Sequence, residues 1–192
     1  MRPWRVHLRI SSKTLTHSQF ANRIYDMIKG QDIVVLALLM DKKGEAYTYA
    51  ELGNAAQIST SEAHSAVQRL RESSLVNEER AVLKRNAREF LFHALRYLFP
   101  LKFNGGLLKG MPTAYSAPIA QSAFSASGLP PVWTGSNGTV LGRGIEPIYP
   151  TAPDAASRNP GLYDLLALFD MLRGGRIRER LFAENKLAEV LT

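Results

Sequence analysis

Two copies of one short device, eleven residues apart, constrain this chain more than any other feature of its sequence. Thr48-Tyr49-Ala50-Glu51 and Ser59-Thr60-Ser61-Glu62 each place a hydroxyl residue three positions ahead of a glutamate. In such a capping box the hydroxyl accepts from the glutamate amide and the carboxylate reaches back to the amide of the hydroxyl residue, so each box opens a helix. The interval predicts one short helix over 49–56, a tight turn, and a second helix over 59–72. Upstream, Asp32 is placed to cap a helix running to about Lys42 and ended by Gly44. Its residues Ile33, Val34, Leu36, Ala37, Leu38, Leu39 and Met40 make it apolar nearly all round, which predicts a place in the middle of a small domain.

Within the paired helices, Leu52, Ala55, Ile58, Ala63, Val67 and Leu70 form the expected buried set. Ala63, Val67 and Leu70 step by four and three along one stripe, and the small Ala55 and Ala63 allow a close crossing. The opposite face of 59–72 then carries Ser61, Glu62, His64, Ser65, Gln68, Arg69 and Arg71. Short polar residues followed by Gln and Arg suit a DNA major groove, where Gln pairs with adenine and Arg with guanine in bidentate fashion. The candidate DNA-contacting residues are therefore Thr60, Ser61, His64, Ser65, Gln68, Arg69 and Arg71. Lys84 and Arg85 are added as candidate backbone contacts beyond the turn at 77–81. The competing reading of each is a solvated helix face, and for His64 a plain surface histidine weighs as much as a base or phosphate contact.

Charge points the same way. The 192 residues carry a formal net charge of +7, and the sequence pI is about 9.8. Residues 1–110 hold 17 Lys and Arg against 10 Asp and Glu, while residues 111–192 hold seven of each. The whole excess falls in the part that carries the capping boxes, which favours a polyanionic partner. The absence of cysteine excludes disulfides and thiolate metal sites. The longest nearly unbroken apolar run, 33–40, is far short of a membrane span. No membrane partner is expected, and a cytoplasmic location is.

The remaining chain divides by composition. Residues 1–27 read as a basic N-terminal extension, either a loose terminus or an arm on DNA phosphates, with Met27 as an alternative start. After Leu75-Val76 a short mixed turn leads to Val82-Leu83-Lys84, a candidate return strand. A third box, Asn86-Ala87-Arg88-Glu89, predicts a helix to about Phe99, stopped by Pro100. Residues 101–131 are rich in Gly and Pro and read as loop. Val132-Trp133-Thr134 and Thr139-Val140-Leu141 flank Asn137-Gly138, a favoured turn pair, and predict a β-hairpin. Helices follow over 162–172 and 177–191, separated by Gly174-Gly175. His93, Arg96 and Tyr97, with Tyr115 and Trp133 as walls, outline a ligand pocket, against which stands a structural role for the aromatics.

The pattern of a leucine-rich first helix, Ala50-Glu51-Leu52, Ile58-Ser59, Ser61, Val67, Arg69-Leu70 and Ser74-Leu75-Val76 resembles the winged helix-turn-helix of MarR-like bacterial transcriptional regulators. It spans residues 33–82, about a quarter of the chain. The resemblance implies a mainly α fold with small β elements: a winged helix-turn-helix domain over 28–85, then a helical C-terminal region over 86–192 that contains the β-hairpin and serves dimerisation or partner binding. It implies a homodimeric repressor on a two-fold site in double-stranded DNA. The short, partly acidic wing tip Asn77-Glu78-Glu79-Arg80 departs from the longer basic wing common in such families. The alternative is an antitoxin or adaptor whose C-terminal region holds a protein partner against Tyr115, Phe124 and Trp133. No catalytic set, metal-ligand spacing or cofactor loop is legible: Gly105 and Gly110 have phosphate-loop spacing, but Met111-Pro112 stands where Lys-Ser/Thr is needed. The expectation is no enzyme, no cofactor and no metal.

Overall fold

The computed structural model describes residues 27–41, 47–124, 128–135 and 138–192. The N-terminal extension up to residue 26, the expected helix stop at Gly44 and Asn137 of the expected turn pair lie outside them. The architecture is mixed α/β and mainly helical. Helix α1 (Gly30–Asp41) begins two residues before Asp32, so Asp32 lies in its first turn. Residues 33–38 are all fully buried, as an apolar circumference requires. Helices α2 (Tyr49–Ala56) and α3 (Thr60–Glu72) follow, each opened by a complete capping box from Thr48 and Ser59. Helix α1 packs against α2 and α3 and also against α7 (Pro160–Gly174).

Beyond α3, Val76 and Val82 form an isolated antiparallel bridge around a turn at 77–81, in place of a full return strand. The third box does not act as a cap. Helix α4 (Lys84–Glu89) starts at Lys84 with no side-chain cap, and the Asn86 amide donates instead to the Ser74 carbonyl at 2.8 Å. A π-helical turn, Phe90–Ala94, closed by Leu95 N–H donating to the Phe90 carbonyl, joins α4 to α5 (Leu95–Leu98).

The 101–131 stretch contains a ten-residue strand, β1 (Phe103–Pro112). With β2 (Pro131–Trp133) and β3 (Val140–Ile145) it closes a three-stranded barrel. The expected hairpin is not formed: β2 runs parallel to β3, and β1 pairs antiparallel with both. A barrel this narrow has little room inside. A Cβ on Gly110 would strike the Trp133 carbonyl, and one on Gly142 would strike the Pro130 carbonyl, so only glycine fits where backbones approach this closely.

Helices α6 (Ala152–Arg158), α7 and α8 (Ile177–Val190) complete the chain. The buried side chains of α1, α2, α3, α7, α8 and Trp133 belong to one contiguous hydrophobic cluster. A buried carboxylate fastens α7 to the barrel. Asp170 accepts from Thr113 Oγ1 at 2.8 Å, from Trp133 Nε1 at 2.7 Å and from Arg173 Nη1 at 2.6 Å.

Candidate nucleic-acid interface

The geometry of α3 follows from its cap and its turn. Gln57 takes the left-handed conformation (φ 56°) that ends α2, and Ile58 N–H closes the motif on the Gly53 carbonyl at 2.9 Å. Ser59 Oγ then accepts from Glu62 N–H at 3.1 Å, while the Glu62 carboxylate accepts from Ser59 N–H at 2.9 Å. The cap fixes the rotation of the helix. Ala63, Ala66, Val67 and Leu70 are fully buried, and Thr60, Ser61, His64 and Ser65 are exposed, with Gln68 half-buried beside them. These five polar residues form one outward surface.

Two residues outside the sequence-derived set join that surface. The Tyr49 ring, at the start of α2, meets His64 edge-on with centroids 4.8 Å apart. Arg80, at the tip of the 77–81 turn, lies with its guanidinium 5.0 Å from the centre of the same ring. Its backbone is left-handed (φ 66°), and its buried Nε has no hydrogen-bond partner among the described residues. Arg80, Tyr49 and His64 thus form a stack across the turn, α2 and α3. The one signal for it in sequence is that Arg80 is the lone cation of an otherwise acidic tip.

Four of the expected contacts lie elsewhere. Arg69 does not face outward: it is 8% exposed and holds Asp32 in a bidentate pair, Nε to Oδ2 at 2.7 Å and Nη2 to Oδ1 at 2.6 Å. The hydrogen bond it donates to Asp32, more than the opposing loss of solvent, raises the Arg69 pKa above its ordinary value. Arg71 is half-buried and reaches the turn, donating from Nε to the Asn77 carbonyl at 3.4 Å and from Nη2 to the Glu78 carbonyl. It shapes the 77–81 turn. Lys84 donates to the Thr192 carbonyl at 2.6 Å. Arg85 lines a cleft of about 500 Å³ with Arg88, Phe92, His93, Glu184 and Asn185. Lys84 and Arg85 therefore belong to a surface shared with α8, apart from the α3 stack.

The electrostatics at the start of α3 are set by its own cap. Hydrogen bonds from the Ser59 backbone and hydroxyl hold the Glu62 carboxyl below its usual pKa. The Tyr149 phenol is pushed up, chiefly by burial and then by the Glu62 charge. A fixed carboxylate at a helix N-terminus offsets its attraction for phosphate. His64, Ser65 and Gln68 lie beyond that first turn, in the middle of the outward surface.

The other outlined sites are not assembled. Trp133 is buried against Asp170, and Tyr115 and Phe124 are half-buried, Phe124 against Phe182 with centroids 5.4 Å apart. They do not form an exposed aromatic surface for a partner. Tyr97 is 74% exposed with Arg96 over its ring, and faces solvent rather than a pocket walled by Trp133. Among the described residues no group of three or more His, Asp or Glu side chains is placed to hold a metal, and no helix is long and apolar enough to cross a membrane. In comparisons with known proteins the chain matches no family, no curated protein and no solved structure.

Proposed function

We propose that this chain is a sequence-specific DNA-binding regulator, a cytoplasmic homodimeric repressor that presents the outward surface of α3 to the major groove of a two-fold operator. On this reading α1, α2, α3 and the Val76–Val82 bridge make up a winged helix-turn-helix with a short wing. The observation that carries the reading is the outward grouping of Thr60, Ser61, His64, Ser65 and Gln68 on a helix whose other side is fully buried. Gln68 and Ser65 supply base-edge hydrogen bonds, and the Tyr49–Arg80 stack supplies a cation beside them for the phosphate backbone. The charge excess in residues 1–110 adds the salt-dependent part of the affinity.

The test is fluorescence anisotropy of the full chain on duplex DNA from its own upstream region and on a shuffled duplex. The reading expects a clear preference for the former and a steep loss of affinity with salt. Gln68→Ala should relax base preference at one position in each half-site, at a cost of about 1–3 kcal/mol. Arg80→Ala should weaken all duplexes alike and reduce the salt slope by about one. Equal binding to both duplexes by the wild-type chain would overturn the reading.

A further inference from the structure

The outer face of the barrel is a second surface that the DNA reading leaves unused. Leu107 pairs with Arg143 and Lys109 with Leu141, and directly opposed residues of antiparallel strands share a face. Leu107, Lys109, Leu141 and Arg143 therefore stand on one side of the sheet, and all four are exposed. The opposite side carries Leu108, Gly110, Gly142 and Gly144, turned into the barrel. Phe103 extends the outer face and lies under the Arg143 guanidinium, 4.2 Å from ring centre to cation. Phe103, Leu107 and Leu141 are 48%, 60% and 53% exposed, so the plate is apolar as well as cationic. Neither β1 nor β3 contains a carboxylate.

The edge of β1 beside this plate is open. Pairing of β1 with β2 is confined to Met111 and Pro112, while its other partners all lie on β3. No described strand covers the second edge over 104–109, a stretch in which the register of β1 against β3 shifts between Phe103 and Leu107. An open edge next to exposed leucines is the surface that strand addition uses: backbone hydrogen bonds supply affinity and alternate side chains supply specificity.

We propose that the β1 edge and its outer face bind an extended, acidic and apolar segment of a partner protein as an added strand. Every second side chain of that segment would face the plate, and along that one face apolar groups on Phe103 and Leu107 would alternate with carboxylates against Lys109, with Arg143 one strand behind. Charge selects this occupant over the nearer ones. Residues 1–26 of the same chain carry Arg2, Arg5, Arg9, Lys13 and Arg23 against a single acid, Asp26, and would be repelled. A second copy of the plate would bring like charges together across a two-fold axis. A single-stranded nucleic acid wants several open aromatic faces, whereas the plate offers one ring, already under Arg143, among aliphatic side chains.

The probe is a fluorescein-labelled peptide that carries leucine and glutamate in turn on one strand face and threonine on the other, compared with the same peptide carrying lysine in place of glutamate. Anisotropy with the full chain should show saturable, salt-sensitive binding of the glutamate peptide at least tenfold tighter than the lysine peptide. Amide exchange over 104–109 should slow when it binds. Leu107→Glu should weaken binding at least tenfold while leaving the unfolding transition and DNA binding unchanged, since the side chain is 60% exposed and belongs to the barrel, not to α3. Lys109→Glu with Arg143→Glu should invert the preference toward the lysine peptide. No preference between the peptides, no protection over 104–109, tighter binding of oligothymidine at this plate, or a concentration-dependent dimer abolished by Leu107→Glu would each overturn the proposal.

Discussion

Asp170 is the single side chain whose loss should do most damage to the link between helices and barrel. Its carboxylate is 3% exposed and accepts three hydrogen bonds, one of them from Arg173, whose Nε in turn donates to the Phe99 carbonyl at 2.7 Å. Asp170→Ala leaves a buried guanidinium without its counter-charge, a change that costs about 3–5 kcal/mol in comparable sites. It also strips the acceptor from Trp133 Nε1 and Thr113 Oγ1, each worth about 1–3 kcal/mol when left buried and unpaired. Thr113 and Trp133 shift together once the carboxylate is gone, so the sum overcounts, and about 4–6 kcal/mol is the expected loss. Asp170→Asn keeps the shape and one acceptor oxygen but loses the charge, and should fall at roughly half of that. The chain has two tryptophans, Trp4 and Trp133, so Trp4→Phe makes urea unfolding report on Trp133 alone. If Asp170→Ala in that background shifts the unfolding free energy by less than about 1 kcal/mol, the three hydrogen bonds are not holding the barrel to α7.

The remaining tests concern other parts of the molecule. Asp32→Ala, by leaving Arg69 buried and unpaired, should destabilise by about 3–5 kcal/mol in chemical denaturation, and Arg69→Met should lower the melting temperature without changing base preference in DNA binding. Ser59→Ala should cost about 1 kcal/mol through loss of the α3 cap. Because the Glu62 pKa is lowered on folding, the contribution of its carboxylate to that cap is present above its unfolded pKa, near 4.5, and should vanish as pH falls through the folded value. Burial, with a smaller push from Asp164, raises the Tyr163 pKa to about 12, and its hydroxyl donates to the Pro112 carbonyl at 2.6 Å. Its folded form holds the proton longer than the unfolded one, so wild-type stability should fall between pH 10 and about 12. Tyr163→Phe should flatten that fall, and should remove a late-titrating tyrosine from the phenolate absorbance.

The parts of the fold that were legible in sequence are those written locally. Thr48 and Ser59 cap within three residues of themselves, and the stripe Ala63, Val67 and Leu70 shows on one helix, so α2 and α3 emerge with nearly correct bounds. Asn86-Ala87-Arg88-Glu89 has the same letters, yet a carbonyl at Ser74, twelve positions away, takes the Asn86 amide, and the helix begins without it. The barrel was hidden for the opposite reason. Glycine in β1 and β3 reads as loop, whereas here it is what lets three strands close around almost no interior. Asn137-Gly138 suggested a hairpin because turn chemistry is local, while the parallel pairing of β2 with β3 depends on β1, some twenty residues upstream. Arg69 looked like a base reader because its partner is 37 positions away. The hint was Asp32 itself, a carboxylate on a helix with no polar side to hold it.

Helix α1 leans on α3 with one side and on α7 with another, and its apolar circumference is the reason it can do both. A chain severed after residue 85 would turn the second of those sides to water, at about 1.5–3 kcal/mol for each large aliphatic side chain uncovered. Helices α2 and α3 are therefore not a cassette. They cannot be grafted onto an unrelated tail, or shed one, without first finding α1 another wall, and lineages that carry this arrangement should inherit both halves as a single piece.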